Sequence, residues 1–228
     1  VQTVSDLAYL GERFGGLEKL AGRKIAVTWA YSPSCTTPAA VPGGIISLFT
    51  RFGADVVVAN PEGFDLSPEA YERAQENAKA SGGSFARMST MAEAFEHADA
   101  VYPINWAPYA FLEKRTELCE AHRAASIELL ESDLREQSEE YKDWECTEEM
   151  LEHANEGAVL MHSLPAQVTD VSCVRGEMTA QVYNANLSTL SAQAANRAFV
   201  FAAMALLSCS KEPEAVLKAL EEAKTARI

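Results

Sequence analysis

The chain reads as an α/β protein: a doubly wound parallel sheet with flanking helices. Two observations predict this. Short apolar runs of strand length, beginning with Lys24–Trp29 and Asp55–Ala59, alternate with longer stretches of helical spacing, the pattern that right-handed strand–helix–strand crossovers require. Polar residues also cluster where several of those runs end, as after Ala158-Val-Leu-Met161, which gives way to His162-Ser163-Leu164-Pro165. Open α/β sheets bind small ligands at the carboxyl ends of their strands. That tetrapeptide is therefore a candidate site, with a capped strand end and a surface His as the plainer reading.

In order along the chain, Val1 to Phe14 has helical spacing with Val4, Leu7, Ala8, Leu10 and Phe14 on one side, and it opens without a cap. Gly15-Gly16 breaks it before the strand Lys24–Trp29. The loop from Ala30 to Pro42 is stiffened by three prolines and carries hydroxyls and Tyr31; a rigid surface connection is the plainer reading of it. A helix over 43–52 ends at Gly53, and Asp55–Ala59 is the second strand. Ser67 caps a helix with Pro68 at its first position, running to about Ala80. Ser84–Met88 is a short third strand. Thr90 and Glu93 form a capping box for the helix over 90–96. Ala98 to Tyr102 is the fourth strand, so the strand ends at Trp29, Tyr102 and Met161 should meet on one rim. The charged stretch from Phe111 to Tyr141 reads as helix, with Leu112, Leu118, Ile127, Leu129, Leu130 and Leu134 as its apolar support. Thr147 caps a helix from Glu148. Beyond His162, a mixed segment over 168–183 leads to a short strand over 184–190, a long helix starting at Arg197 and a last helix from Glu212 to Lys224.

Composition narrows the function. A net charge of −14 over 228 residues excludes a nucleic-acid binder, which needs clustered Lys and Arg. No apolar run reads as long enough to span a bilayer and no signal-peptide pattern opens the chain, so the expectation is a cytoplasmic protein without membrane contact. The five cysteines are odd in number and lack a C-x-x-C pair, and the four histidines lack ligand spacing; neither a disulfide framework nor a metal site is expected. The loop after the first strand lacks the G-x-G-x-x-G turn that a pyrophosphate needs, which weakens a dehydrogenase.

About thirty residues beyond His162-Ser163-Leu164-Pro165 comes Ala192-Gln-Ala-Ala-Asn-Arg197, opening an apolar helical run. The pair resembles the His-Cys-Leu-Pro loop and the later Glu-Asn-Arg of the transcarbamylases, which move a carbamoyl group from carbamoyl phosphate to an amine. Thr28-Trp-Ala-Tyr-Ser-Pro-Ser34, Tyr102-Pro-Ile-Asn-Trp-Ala-Pro108 and Lys142-Asp-Trp-Glu-Cys-Thr-Glu-Glu-Met150 extend the resemblance over nearly the whole chain, to the knotted carbamoyltransferases and most of all their YgeW-like branch.

The resemblance implies a domain plan. Residues 1–22 would be the helix linking a first, carbamoyl-phosphate domain that is absent. Residues 23–195 would be the acceptor-binding α/β domain, and 196–228 the C-terminal helices returning toward the first domain. The proline-rich loop after Trp29 would be the ring of a knot, crossed by the segment around 144–150. No cofactor is implied; the partners would be carbamoyl phosphate and a small amine or amide acceptor, in a homotrimer. His162 and Arg197 take the catalytic positions: His162 donates to the carbamoyl oxygen, and Arg197 neutralises the phosphate. Gln2, matching the final Gln of a His-Pro-x-Gln motif, joins His162, Ser163, Leu164 and Arg197 around carbamoyl phosphate. Trp29, Tyr31, Ser32, Asn105, Trp106 and Ser163 would face the acceptor. For Trp106, anchoring its own loop is the competing role.

Two departures stand out. Ile104 takes the position of an Asp that holds ornithine, and the Ser-Met-Gly of ornithine transcarbamylases is missing, so the acceptor should not be ornithine. Ser163 stands where many members have Cys, and a hydroxyl cannot titrate near neutral pH as a thiol can. Both leave open a catalytically silent ligand-binding or regulatory homologue.

Overall fold

The computed structural model describes residues 1–223. Five parallel strands form one sheet in the order β3-β2-β1-β4-β5: β1 (Lys24–Trp29), β2 (Asp55–Ala59), β3 (Ser84–Met88), β4 (Ala100–Ile104) and β5 (Val159–Leu160). The order reverses between β1 and β4, which makes the carboxyl ends of those two strands the topological switch point. One face of the sheet packs its Ile25, Val27 and Trp29 against α1 (Gln2–Phe14), α2 (Ala40–Thr50), α3 (Pro68–Ser81), α5 (Tyr109–Glu120) and α6 (Ala124–Glu139). The other face packs Ala26, Val57, Val101 and Leu160 against α4 (Met91–Phe95), α7 (Glu148–Leu151) and α8 (Ala180–Ala185). Two helix layers around a buried sheet is the arrangement an all-parallel sheet needs.

Local chemistry accounts for most boundaries. Ser67 accepts from Ala70 N–H ahead of Pro68, and Thr90 and Glu93 close a reciprocal capping box. Gly15 and Gly82, at φ 86° and 82°, end α1 and α3 in the left-handed conformation that glycine adopts without strain.

Several boundaries differ from the sequence reading. The inward face of α1 is Ser5, Asp6, Leu7, Tyr9, Leu10 and Gly11, and Val4 and Ala8 face solvent, because a buried carboxylate takes a position that apolar spacing would not choose. α2 begins at Ala40 rather than Gly43, since Pro42 fits a first turn whose N–H groups have no helical partner. The fourth strand runs on to Ile104 through Pro103. That proline is tolerated because β5 pairs only with Ala100 and Val101, leaving no strand beside Pro103 on that side. The charged stretch divides into α5 and α6 at His122, whose φ is 54°.

The expected strand over 184–190 is absent: α8 ends at Ala185, capped by Asn186, and α9 runs from Leu187 to Cys209, so Arg197 lies inside the long helix rather than at its start. Leu187, Leu190 and Ala194 follow helical spacing into an alanine-rich run, and helix propensity prevails over the strand-like Leu-Ser-Thr-Leu. By length and composition α9 is also apolar enough to cross a bilayer, contrary to the sequence reading. Its first half carries Arg197 and a buried Gln193 and packs on α1. α10 (Pro213–Ala223) starts one residue after the expected Glu212; the expected end at Lys224 lies outside the described residues.

Candidate functional site

β5 ends at Leu160, and two residues on the chain turns sharply at His162, whose side chain is buried at the rim. The His162 N–H has no strand to bond and donates instead to Oε1 of Gln193 at 3.0 Å. The Leu164 N–H donates back to Nδ1 of His162 at 3.0 Å, so the ring carries its proton on Nε2. Leu164 sits at φ 37°, a conformation costly for a residue with a side chain. Nε2 lies 3.2 Å from Oε2 of Glu177 but off the line of a hydrogen bond, and it is buried with no aligned partner.

Behind this turn lies a buried polar network centred on Asp6. Its Oδ1 accepts from Nε2 of Gln193 at 2.6 Å and from Nε2 of Gln2 at 2.8 Å, and its Oδ2 accepts from the Tyr102 hydroxyl at 3.0 Å. Burial pushes its carboxyl up to about 6 against these hydrogen bonds and the attraction of Arg197. The Tyr102 hydroxyl is raised as well, by burial first and then by Asp6.

Glu177 ties the His162 turn to the end of β4. Its Oε1 accepts from Asn105 N–H at 2.7 Å and its Oε2 from Gln167 N–H at 2.8 Å. Asn105 also donates its side-chain NH₂ to Ala30 C=O at 2.8 Å, leaving Oδ1 buried and unpartnered. Trp29 and Trp106 lie beneath this rim with no exposed surface. Their ring N–H groups bond to the carbonyls of Trp106 and Phe64 at 2.9 and 2.8 Å, so both act as the floor that fixes the two strand ends. Trp106→Ala should therefore cost about 3–5 kcal/mol of stability, through a cavity and the orphaned Phe64 carbonyl; urea unfolding of the full-length protein measures it.

Tyr31 and Ser32 sit farther along the rim. Tyr31 donates its hydroxyl to Glu139 at 2.6 Å and its N–H to Trp144 C=O at 2.7 Å, and it borders a cavity of about 670 Å³ with Lys142, Asp170, Cys173 and Arg175. Burial and Glu139 raise the Tyr31 hydroxyl well above its ordinary range. Ser32 is buried, its hydroxyl accepting from Ser34 N–H at 3.1 Å. The cations of this cavity are already neutralised: Arg175 by Glu145 and Asp143, Lys142 by Glu139.

Arg197 differs in this respect. It projects beside Leu164, Pro165, Ala166 and Tyr183 into an open groove of about 530 Å³, and no carboxylate pairs with it among the described residues. An unpaired guanidinium in a chain of net charge −14 is suited to an anion. The predicted residues thus fall into two groups. Gln2, His162, Ser163, Leu164 and Arg197 gather at the end of β5, with Gln2 joined through Asp6. Trp29, Tyr31, Ser32, Asn105 and Trp106 gather at the ends of β1 and β4, with Glu177 bridging the groups. Asp6, Tyr102, Glu177 and Gln193 were not anticipated; Asp6 carries a signal in its place one turn after Gln2, whereas Glu177 carries none.

Residues 41–209 match the family model described as aspartate/ornithine carbamoyltransferase, Asp/Orn binding domain. The YgeW protein of Escherichia coli K12 is 49% identical over 220 residues, covering 96% of this chain and 56% of that protein. The ornithine carbamoyltransferase of Thermococcus kodakarensis is 30% identical over 149 residues, covering 65% of this chain and 39% of its own length. Among solved structures, a variant of N-acetyl-L-ornithine transcarbamylase complexed with carbamyl phosphate and N-succinyl-L-norvaline shares the fold, with a TM-score of 0.70 at 24% identity over 86% of this chain and 52% of that one. The chain spans about half the length of the curated relatives it matches. With the family's domain model matching residues 41–209, most of this chain, and a parallel sheet of the same fold whose His-Ser-Leu-Pro turn shares a groove with an unpaired arginine, the chain belongs to the aspartate/ornithine carbamoyltransferase family.

Proposed function

We propose that this chain forms the acceptor-binding part of an enzyme that transfers a carbamoyl group from carbamoyl phosphate to an amine or amide nitrogen of a small acceptor other than ornithine. The observation that carries this reading is the groove at the end of β5, which Leu164 and Pro165 of the His162 turn line together with the unpaired Arg197. In the reaction the acceptor nitrogen attacks the carbamoyl carbon, the carbon–oxygen bond to phosphate breaks, and the proton lost by the nitrogen ends on the released phosphate. His162 Nε2–H, which lacks an aligned partner, donates to the carbamoyl oxygen as negative charge builds there. The backbone carbonyls of Ser163 and Leu164 orient the carbamoyl NH₂, with the Gln2 amide beside them. Arg197 neutralises the leaving phosphate.

On the acceptor side, the spare Oδ1 of Asn105 accepts a hydrogen bond from the attacking nitrogen, and Tyr31, Ser32 and Ser163 contribute hydroxyls. Trp29 and Trp106 act through the strand ends they hold. Ile104, buried at the end of β4, offers no carboxylate to an amino group, which supports an acceptor other than ornithine. The reading also includes the knotted path, whose ring and crossing segment would be the stretches that Tyr31 and Trp144 join by a backbone hydrogen bond, and a homotrimer in the cytoplasm. Ser163 favours one alternative, a homologue that binds carbamoyl phosphate without transferring it. Titrating the full-length protein with carbamoyl phosphate in a calorimeter should give saturable binding; a folded protein that shows none overturns both readings.

A further inference from the structure

Asp6 is a buried carboxylate with four elements built around it: α1 carries it, and β4, α9 and the turn after β5 are tied to it directly or through one side chain. No cation contacts it among the described residues, so its burial is opposed by desolvation. Its chemistry restricts its neighbours. An ionised carboxylate only accepts hydrogen bonds, so the amides of Gln193 and Gln2 must both turn their NH₂ ends toward it. Gln193 is thereby left with its oxygen facing His162, whose N–H has no other acceptor at that point of the chain. Reversing the Gln193 amide would set NH₂ against N–H.

We propose that Asp6, acting through Gln193, is the positioning residue that holds the His162-Ser163-Leu164 turn in its ligand-ready form. The ligand's identity rests on the carbamoyl-transfer reading; the positioning does not.

At its own end, an amide at residue 6 can pair with either end of the Gln193 amide, whereas a carboxylate pairs only with the NH₂ end. Asp6→Asn should therefore let Gln193 populate both orientations, and Gln193→Met should remove the acceptor for His162 altogether. The same loosening is expected of the native protein when Asp6 takes a proton below about pH 6. The titratable or charged groups acting on Asp6 are Tyr102 from β4 and Arg197 from α9, and His162 from the turn stacks on Tyr102. α2, which also packs on α1, has no charged residue, and the turn Leu17–Leu20 supplies Glu18 and Lys19.

The test is amide hydrogen exchange across residues 161–165 of the full-length protein, read beside thermal stability and carbamoyl-phosphate affinity. Expected are a two- to fivefold loss of protection confined to this turn in Asp6→Asn at pH 7.5, and a loss above tenfold in Gln193→Met. Native protein at pH 5 should match Asp6→Asn, and the variant itself should show no such step with pH. Thermal stability of Asp6→Asn at pH 7.5 should equal or exceed the native value, because a desolvated charge is gone. A merely structural Asp6 would instead lower it. If Gln193→Met does not fold, Asp6→Asn, which keeps the side-chain volume, decides. Protection unchanged at the turn, or lost evenly across the sheet, overturns the proposal. Native protein that binds no carbamoyl phosphate while the exchange pattern holds would refute the transfer reading and leave the positioning standing.

Discussion

His162→Asn should fold and lose carbamoyl transfer by about 10²–10³-fold, the scale of removing a donor aimed at a developing oxyanion. Asparagine is the informative replacement because its side-chain oxygen can accept the Leu164 N–H as Nδ1 does, keeping the turn closed. His162→Ala would orphan that N–H and leave a hole under Tyr102, costing about 1–3 kcal/mol for the unpaired group alone. Steady-state rates and urea unfolding on both variants separate the effects. Equal losses of rate and stability in Asn and Ala would make His162 a structural residue. A large fall in rate at native stability in Asn assigns the donor.

Arg197→Ala should weaken carbamoyl-phosphate binding by about 10- to 100-fold, equivalent to roughly 1.5–3 kcal/mol for a charge-assisted hydrogen bond. Because the guanidinium has no internal carboxylate to release, the loss is not offset by freeing an ion pair, and the native affinity should fall as salt rises. Arg197→Lys should recover only part of it, since an ammonium cannot present a planar fork to phosphate oxygens. Calorimetric titration at two salt concentrations checks all three. Unchanged affinity in Arg197→Ala would remove this residue from the site.

The sheet was legible because its strands are short apolar runs between capped helices, so Lys24–Trp29, Asp55–Ala59 and Ser84–Met88 match residue for residue. Misreadings came where tertiary context overrode local pattern. Pro103 argues against a strand until β5 is seen to end beside Val101, and Leu-Ser-Thr-Leu reads as strand until the alanines beyond it extend one helix. The site shows the same division. His162 and Arg197 announce themselves as a polar residue at a strand end and a lone cation in an apolar run. Asp6 and Gln193 lie 187 positions apart and acquire meaning only when α1 and α9 pack together. Glu177 is one acid among 33 Asp and Glu residues until the fold places it between Asn105 and Gln167. Trp106 illustrates the converse: an aromatic in a motif resembling an acceptor site, whose burial and ring hydrogen bond make it part of the floor.

The most direct test of carbamoyl transfer is to incubate the full-length protein with labelled carbamoyl phosphate and a panel of amino acids, diamines, amides and their acylated derivatives, ornithine included. The account predicts labelled carbamoyl product with one acceptor other than ornithine, lost in His162→Asn. Product with ornithine would contradict the acceptor assignment read from Ile104. No product from any member of the panel, with saturable carbamoyl-phosphate binding intact, would contradict transfer and favour the silent homologue.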